Sequence, residues 1–242
     1  MSASRSGAHG RVLLILPCWN EGAAIAKVLG EIKRLDAAYD TLVVDDGSVD
    51  DTFKTASALS PCVRLAHNLG IGGAVQTGIQ YAHRHGYDFC IQIDGDGQHP
   101  PDQIAVLLAA HRAAPANILI GSRYLSRDSF QSTFARRLGS GLIAYAIRLL
   151  FGGAVVTDPT SGMRLMDRRA MAFFTQAYPH DYPEPISLAW ALRHGLTLRE
   201  HAVRMRGREQ GSSSIKGLKV MAYMLRVVFY IACSRLQRKS PA

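Results

Sequence analysis

The first half of the chain alternates between short apolar runs and longer amphipathic stretches. The first run, Arg11–Pro17, contains VLLIL between polar residues, a pattern typical of a strand buried on both faces of a parallel sheet. An amphipathic stretch follows from Ala23 to Leu35, with apolar residues at helical spacing. Repeated strand–helix alternation of this length predicts an α/β fold with a mostly parallel sheet flanked by helices.

The same alternation continues to residue 121. Further strands are predicted at Thr41–Val44, Val63–Ala66, Phe89–Ile93 and Ile118–Gly121. Further helices are predicted at Thr52–Leu59, Ile71–His83 and Pro101–Ala113. Because ligands of such sheets bind beyond the carboxyl ends of the strands, the loops that follow the strands are the candidates for chemistry.

The second half is less regular. Helices are predicted at Phe134–Leu150, Arg168–Ala177, Ile186–His194 and from Ile215 to about Leu236, with a turn at Asp158–Gly162 and an extended segment at Leu196–Met205. The first ten residues are small and polar, which is typical of a loose tail. We therefore predict a flexible tail over 1–10, one domain over 11–214, and a basic amphipathic membrane-surface segment over 215–242.

Composition excludes several classes of protein. Of 242 residues, 48% are hydrophobic and 19% are charged, which suits a large buried core and excludes intrinsic disorder. The sequence has no uninterrupted apolar run of about 18 residues and no signal-peptide pattern at its start. The four cysteines form no C-x-x-C pair, so we expect reduced thiols in a cytoplasmic protein.

Two carboxylates stand together in the segment DGDGQ, directly after the apolar run FCIQI. Asp94 and Asp96 are spaced i, i+2 and can share a divalent cation such as Mg²⁺ or Mn²⁺, with Gln98 as a neutral oxygen ligand. A turn that only caps the next helix uses the same residue types. From this loop alone, both interpretations stay open.

Polar and aromatic residues also follow the first two predicted strands. Asp46 can accept hydrogen bonds from a base or a ribose, as acidic residues do in other nucleotide-binding α/β folds. Asp50 and Asp51 suit a helix cap instead. Trp19 offers a stacking face and Glu21 another acceptor, although an aromatic residue in this place is as often simply packed.

A glycine-rich segment, NLGIGG, opens the third predicted helix and lets the backbone come close to a ligand or to a neighbouring strand. It is not a G-x-G-x-x-G motif, because Val75 occupies the place of the last glycine, so a dinucleotide oxidoreductase is disfavoured. The sequence also lacks a Walker A motif, which argues against a P-loop nucleotide hydrolase.

Arginines are frequent in the second half of the chain. Their guanidinium groups can bind phosphate in a bidentate way, or they can form a solvated basic face. The candidates for phosphate binding are Arg123, Arg136, Arg137, Arg206 and Arg208.

The chain resembles the inverting, nucleotide-sugar-dependent glycosyltransferases of family two, because it carries a series of their motifs in order. These are LPCWNE, VVDDGSVDDT, NLGIGGAVQTG, IDGDGQHPP, GSRY, DPTSGMRLM, YPEP and REQGSSSIKG. Within the family it is most similar to the polyprenyl-phosphate glycosyltransferases typified by dolichol-phosphate mannose synthase, over roughly residues 11–215. The resemblance implies the GT-A fold, with a Rossmann-like, mostly parallel sheet.

The resemblance also implies the roles of individual residues. The nucleotide would be bound by Pro17, Trp19, Glu21, Asp46, Gly72 and Asp94. Mg²⁺ or Mn²⁺ would be held by Asp94, Asp96 and Gln98. The phosphates and the acceptor would be contacted by Arg123, Arg136, Arg137, Arg208 and Ser213. The catalytic residues would be Asp96, Arg123 and Glu184.

The acceptor decides the role of Glu184 in YPEP. An attacking hydroxyl needs a general base, whereas a phosphate monoester with a second pKa of about 6 is already an anionic nucleophile at neutral pH. Glu184 would be the base for a hydroxyl, and it would order the acceptor loop or contact the sugar for a lipid phosphate. Asp158 and Ser161 of DPTSG would shape the acceptor wall or form a structural turn.

The end of the chain is basic. Residues 210–242 contain six Lys and Arg and no acid, with apolar residues between them. Such a segment can lie on an anionic membrane surface, or it can be a terminal helix docked on the domain. The resemblance favours peripheral attachment to the cytoplasmic face of the membrane and allows a separate membrane-protein partner. The net charge of +9 comes without a nucleic-acid-binding motif, so nucleic acid is not expected as a partner.

Residues and resemblance together predict a metal-dependent inverting glycosyltransferase. It would move a sugar from a nucleotide-diphosphate sugar, with GDP or UDP as the nucleotide, to a polyprenyl phosphate. One alternative is transfer to a saccharide hydroxyl in cell-surface polysaccharide synthesis. Another is a non-catalytic nucleotide-sugar-binding subunit, which is disfavoured because all three proposed metal ligands are present.

Overall fold

A computed structural model describes residues 10–35, 39–125, 134–152, 156–207 and 218–236, without the side chains of 134–136 and 218–222. The strands in these ranges are β1 (Val12–Cys18), β2 (Asp40–Asp45), β3 (Cys62–Arg64), β4 (Phe89–Gln92), β5 (Ile118–Ser122), β6 (Arg164–Asp167) and β7 (Leu198–Ala202). The helices are α1 (Gly22–Lys33), α2 (Thr52–Leu59), α3 (Gly70–Arg84), α4 (Gln103–Ala113), α5 (Phe134–Phe151), α6 (Arg168–Gln176), α7 (Pro183–Arg193) and α8 (Leu218–Leu236).

The strands form one sheet in the order β3-β2-β1-β4-β6-β5-β7. Strand β6 runs antiparallel to β4 and β5, while the other pairs are parallel. The predicted mostly parallel α/β sheet is therefore confirmed. The pattern does not predict β6, because this strand has only four residues and begins with a charged one, Arg164.

The sheet is covered by helices on both faces. In β1, Leu13 and Ile15 pack into one cluster with residues of α3 and α5 to α8, while Leu14 and Leu16 pack into the other with residues of α1 and α4. Successive side chains of a strand point to opposite faces, so an uninterrupted apolar strand needs a cover on both sides. The VLLIL pattern therefore describes the middle of a three-layer structure.

Helix α7 starts earlier than predicted, while α8 agrees with its prediction over the described residues. Helix α7 begins at Pro183 rather than Ile186, with proline in its first turn, which places Glu184 in that turn as well. Helix α8 begins at Leu218 and packs against α5 and α7, with Val227 and Ile231 fully buried. The predicted C-terminal helix is confirmed, and it is docked on the domain.

All four cysteines lie in the described residues, and each is buried or half-buried. Cys18, Cys62, Cys90 and Cys233 are all free, and burial raises the pKa of Cys18 and brings that of Cys62 to about 11. Since the thiolate is the reactive form, Cys18 and Cys62 are unreactive near neutral pH.

Candidate active site

A cavity of about 320 Å³ lies beyond the carboxyl ends of β1 and β2. It brings together four residues that the resemblance assigns to the nucleotide, which are Pro17, Trp19, Glu21 and Asp46. The other lining residues are Cys18, Asn68, Gly70, Ile71 and Ala74. Trp19 is 55% exposed, so its ring is open to a stacking partner. The size and the mixed lining suit a nucleoside.

The two neighbouring carboxylates after β2 have different surroundings. Asp46 lines the cavity, and its Oδ1 accepts a hydrogen bond of 2.7 Å from the N–H of Leu69. Burial raises the pKa of Asp46, and hydrogen bonds from the backbone of Leu69 and Gly70 oppose that rise. Asp45 is fully buried, with its Oδ2 3.2 Å from Nε of Arg64. Asp46 thus faces the cavity, where its role in nucleotide binding stays a prediction, while Asp45 forms an ion pair with Arg64.

Asp94, the first carboxylate of the DGDGQ loop, is held from two sides. The buried His99 accepts a hydrogen bond at Nδ1 from the N–H of Asp94 at 3.0 Å. On the other side the carboxylate lies against Gly162, where a Cβ would come within 2.9 Å of both Asp94 oxygens. The glycine of DPTSG therefore makes room for the carboxylate of DGDGQ.

Asp96 is fixed inside the loop by Gln98. The N–H of Gln98 donates to Asp96 Oδ1 at 3.0 Å, and the side-chain amide of Gln98 donates to Oδ2. As a metal ligand Gln98 would have to offer its amide oxygen instead. Its role as third ligand stays a prediction, while the structure gives it the role of orienting Asp96.

The oxygen ligands of this loop suit a divalent cation whose remaining ligands come from the substrate. In the described part of the chain, no three His, Cys, Asp or Glu side chains converge as they would around a metal held by protein alone. Asp94 and Asp96 supply hard oxygen ligands, and Mg²⁺ is commonly bound by one or two carboxylates together with substrate phosphates. These two residues would hold the ion against a diphosphate.

We expect Gly162→Ala to weaken cation binding with little loss of stability. The new Cβ meets the end of a flexible side chain, so the Asp94 carboxylate moves and the fold stays. Mn²⁺ affinity measured by calorimetry in the presence of nucleotide should fall about tenfold or more, with activity falling alongside. Gly30→Ala is the matched control, since a Cβ there meets nothing within 4 Å. Unchanged Mn²⁺ affinity in Gly162→Ala would contradict this account of the loop.

Arg123, at the end of β5, is clamped by the fully buried Asp158. Its Nε and Nη2 each donate to one Asp158 oxygen at 2.7 Å, and its backbone N–H donates to the same carboxylate at 3.0 Å. Nη2 also donates to Thr160 Oγ1 at 2.9 Å. Burial lowers the pKa of Arg123, but Asp158 outweighs it and the net pKa is raised. The guanidinium is thus a fixed positive charge, with Nη1 outside these contacts.

Of the other predicted phosphate-binding arginines, the structure brings one close to Arg123. The guanidinium carbons of Arg123 and Arg137 lie 5.5 and 5.6 Å from the centre of the same Tyr124 ring. The side chain of Arg136, together with Arg208 and Ser213, lies outside the described residues. The side chain of Arg206 pairs with α1 instead, where its Nη1 donates to both carboxylate oxygens of Glu31, while its backbone N–H donates to the carbonyl oxygen of Gln98 at 2.9 Å.

Glu184 lies in the first turn of α7, within the electrostatic reach of the other site residues. Burial raises the pKa of its carboxyl, the guanidinium of Arg164 opposes the rise, and the charges of Asp94 and Arg123 also act on it. Tyr182, just before it, has left-handed backbone with φ of 49° and packs its ring edge-on against Tyr223 of α8 at 4.8 Å. The DGDGQ loop, Arg123 and Glu184 therefore lie close enough for their charges to act on one another.

Gly72 is placed differently from the other predicted nucleotide-binding residues. A Cβ there would lie 2.2 Å from the carbonyl oxygen of Pro179 and 2.8 Å from Cα of His180. It is not among the residues that line the cavity. In the structure this glycine lets α3 contact the segment that leads into α7, and nucleotide binding by Gly72 stays a prediction.

Three polar residues of the site are not among the predicted ones. They are His99, which holds Asp94, Arg164, whose guanidinium is buried between Ser161, Pro159 and Ser187, and Glu200, which holds the Asp158 turn. The signals for Arg164 are its place in the motif DPTSGMRLM and a charge that interrupts the apolar run MRLM. Glu200 has no such signal, because a polar residue in a half-buried strand is ordinary.

Comparison with known protein sequences identifies the family of the chain. Residues 13–173 match the family described as glycosyl transferase family 2. Polyprenol monophosphomannose synthase of Mycolicibacterium smegmatis is 29% identical over 238 residues, covering 94% of this chain and 89% of that protein. The UDP-N-acetylglucosamine–dolichyl-phosphate N-acetylglucosaminyltransferase of Methanococcus voltae is 29% identical over 185 residues, covering 68% and 72%.

A solved structure shows the same arrangement of elements. Glucosyl-3-phosphoglycerate synthase from Mycobacterium tuberculosis, in complex with Mn²⁺, uridine diphosphate and glucosyl-3-phosphoglycerate, superposes with a TM-score of 0.68. It is 22% identical, and the match covers 96% of this chain and 82% of that one. The similarity confirms the expected GT-A fold.

Proposed function

The chain belongs to glycosyl transferase family 2 and is a nucleotide-sugar-dependent glycosyltransferase, and we propose that its acceptor is a polyprenyl phosphate. In this proposal the sugar moves with inversion from a nucleoside diphosphate to the lipid phosphate at the cytoplasmic membrane surface, with Mg²⁺ or Mn²⁺ bound. The acceptor class is supported by the two relatives described above, one named for the synthesis of polyprenol monophosphomannose and the other for transfer of N-acetylglucosamine to dolichyl phosphate.

One observation carries the proposal that the donor is a nucleotide sugar. The nucleoside-sized cavity and the paired carboxylates Asp94 and Asp96 lie at the same edge of the sheet. Parallel strands β1, β2 and β4 end at one edge, so Trp19 and Asp46 lie on the same side of the sheet as Asp94 and Asp96. A nucleoside in the cavity directs its diphosphate toward the DGDGQ loop. A cation bound there would stabilise negative charge on the departing diphosphate.

The charges of the chain's own residues suit an anionic acceptor. Arg123 is permanently charged and fixed by Asp158, so it stabilises phosphate without reorganising. The lipid phosphate oxygen attacks the anomeric carbon, the bond from that carbon to the diphosphate oxygen breaks, and the electron pair leaves with the nucleoside diphosphate. Glu184 then has no proton to remove, and we assign it to contacting the sugar.

A second candidate, transfer to a saccharide hydroxyl, is favoured by one observation. Burial raises the pKa of Glu184, which moves this carboxylate toward the range where general bases work best. Mass spectrometry of the lipid phase separates the two candidates after incubation with a panel of UDP-, GDP- and dTDP-sugars. A glycosyl phosphoryl lipid supports the proposal, whereas product only on added saccharide acceptors would refute it.

Glu184→Gln tests the same choice within the protein. For a lipid phosphate we expect a loss in kcat of about tenfold or less, because no proton is transferred to the side chain. For a hydroxyl acceptor the loss would be about 10²–10⁴-fold. In that case wild-type kcat would also fall as the pH drops through the raised pKa of Glu184, because protonation removes the base, and the variant would lack this dependence. The measurement is kcat against pH for both proteins.

The surface formed by α5 and α8 supports peripheral membrane attachment. Exposed apolar residues recur at helical spacing on α5 at Leu138, Leu142, Tyr145 and Leu149, and on α8 at Leu225, Phe229 and Leu236. The two helices contact each other and contain no acidic residue. No helix in the described ranges is long and apolar enough to cross a bilayer. Two copies would repel each other across such a basic face, while an anionic lipid surface attracts it.

We expect the double variant Leu149→Glu, Phe229→Glu to bind anionic liposomes at least about tenfold more weakly than wild type. Each wild-type side chain is more than half exposed and would place its apolar surface into the interface, at about 1.5–3 kcal/mol per residue. Leu59→Glu on α2, at an equally exposed position on the other side of the sheet, is the control and should bind normally. Co-sedimentation unchanged in the double variant would remove this surface from the proposal.

A further inference from the structure

We propose that Glu200 is a positioning residue for the reaction, acting on Arg123 through Asp158. The inference rests on the proposed function for its catalytic consequence, because it concerns the positive charge that meets the acceptor phosphate. Glu200 belongs to β7, two positions before the strand's end, and lies outside every motif that points to the site.

The carboxylate of Glu200 binds the turn just before Pro159. Its Oε2 accepts hydrogen bonds of 2.7 Å from both the N–H and the hydroxyl of Thr157, and its Oε1 accepts one of 2.7 Å from the N–H of Asp158. Short hydrogen bonds to an ionised acceptor are the stronger kind. Both carboxylate oxygens are therefore spent on fixing two successive peptide groups.

Asp158 passes this order on to Arg123. The same residue whose N–H is held by Glu200 clamps the guanidinium with both of its carboxylate oxygens. The hydroxyl of Thr157 lies 3.2 Å from that of Ser122, the residue before Arg123. The turn is thus tied to β7 on one side and to the end of β5 on the other.

Strand register makes this arrangement rigid. Strands β5 and β7 run parallel with Ile120 opposite Glu200 and Ser122 opposite Ala202. Arg123 and Glu200 are therefore held at a fixed separation by backbone hydrogen bonds, and the turn is suspended between them. A residue on a strand can hold a reacting group more precisely than a residue on a loop.

Loss of the Glu200 carboxylate would leave two peptide N–H groups without their acceptor. They would seek other partners, the Asp158 carboxylate would shift, and the Arg123 guanidinium would shift with it. Misplacement of a catalytic group by about 1 Å costs about 10² in rate. A purely structural residue would instead lower stability without a specific effect on kcat.

The experiment compares Glu200→Gln with a control at the other end of the same strand pair. Glutamine keeps the shape but replaces one acceptor oxygen by an NH₂ group, which cannot accept from the turn. The control is Asn117→Ala, which removes the bonds from Thr197 N and Oγ1 to Asn117 Oδ1 at 2.9 and 3.1 Å and the bond from Asn117 Nδ2 to Asp167 Oδ2 at 2.8 Å. We expect kcat to fall about 100-fold in Glu200→Gln and less than about twofold in the control. The two variants should have similar melting temperatures and similar KM values for the donor.

A double-mutant cycle tests the route of the effect. If Glu200 acts through Arg123, Glu200→Gln combined with Arg123→Ala should be no slower than Arg123→Ala alone. The proposal would be overturned if the loss of kcat in the double variant equalled the product of the losses in the two single variants. A kcat in Glu200→Gln equal to that of the control would overturn it as well. Should Glu200→Gln not fold, Glu200→Asp replaces it, with the same comparison and an expected intermediate kcat.

A spectroscopic readout separates this inference from the proposed function. The ¹⁵N-correlated Nε–H signal of Arg123, identified by its loss in Arg123→Ala, should move in Glu200→Gln and stay in place in Asn117→Ala. The shift of the Arg123 signal is expected even if no transfer to polyprenyl phosphate is detected. That outcome would refute the proposed acceptor and would leave the positioning of Arg123 by Glu200 standing. An unmoved signal in Glu200→Gln would refute the positioning whatever the acceptor.

Discussion

Asp96→Ala protein is expected to lose sugar transfer by about a thousandfold or more. Asp96 lies two residues after Asp94 in a loop that Gln98 fixes from inside, and no third acidic, histidine or cysteine side chain in the described ranges completes a metal-binding group with them. With one of two carboxylates gone, the remaining oxygen donors cannot keep a cation against the diphosphate. The checks are kcat with saturating donor and calorimetric Mn²⁺ affinity with nucleotide present.

Asp102→Ala is the control for this prediction. Asp102 follows in the same region of the chain, but it pairs with Arg204 at the surface, with about half of its side chain exposed. Its removal should leave both kcat and Mn²⁺ affinity within about twofold of wild type. Full activity in Asp96→Ala, or equal losses in both variants, would remove the metal assignment.

Asp158→Ala is expected to cause the largest loss of stability, about 3–5 kcal/mol in the free energy of unfolding. The substitution removes three hydrogen bonds to Arg123 and leaves that guanidinium, which is only 22% exposed, without its counter-charge. A buried charge without a partner is far more costly than a surface charge without one. Sugar transfer should fall as well, because Arg123 loses its fixed orientation.

Urea unfolding of Asp158→Ala and Asp102→Ala measures the difference in their free energies of unfolding. Asp102→Ala again serves as the comparison, since an exposed ion pair contributes about 0–1 kcal/mol. We expect Asp158→Ala to unfold at clearly lower urea concentration with an unchanged slope. Equal stabilities of the two variants would mean that the Arg123–Asp158 pair is not the structural centre of this turn.

The sequence could predict the layers of the fold because they follow from local pattern. VLLIL can only be covered from both sides, and helical spacing marks the helices that do so. Strand β6 escapes this logic, since its position between β4 and β5 depends on antiparallel pairing that no local pattern encodes. Its first residue, Arg164, can be buried because the turn of Pro159 and Ser161 and the helix of Ser187 supply its hydrogen-bond partners from two separate segments.

The candidate site divides in the same way. The position of Asp46, Asp94 and Asp96 at the carboxyl edge of the sheet could be predicted because each follows a strand, and their roles there stay predictions. Pairing between distant segments could not, so the clamp of Asp158 on Arg123 and the contact of Gly162 with Asp94 become visible only in three dimensions. Glu200 is the extreme case, as it acts on the site through two other residues.

Phosphorus NMR of the acceptor tests the central claim most directly. Polyprenyl phosphate is incubated with the protein, Mg²⁺ and the donor sugar that the panel identifies. The account predicts that the monoester signal, whose shift follows pH around a pKa of about 6, is replaced by a diester signal that does not titrate. Nucleoside diphosphate should be released in equal amount. A monoester that persists while sugar is transferred to a hydroxyl acceptor would contradict the account.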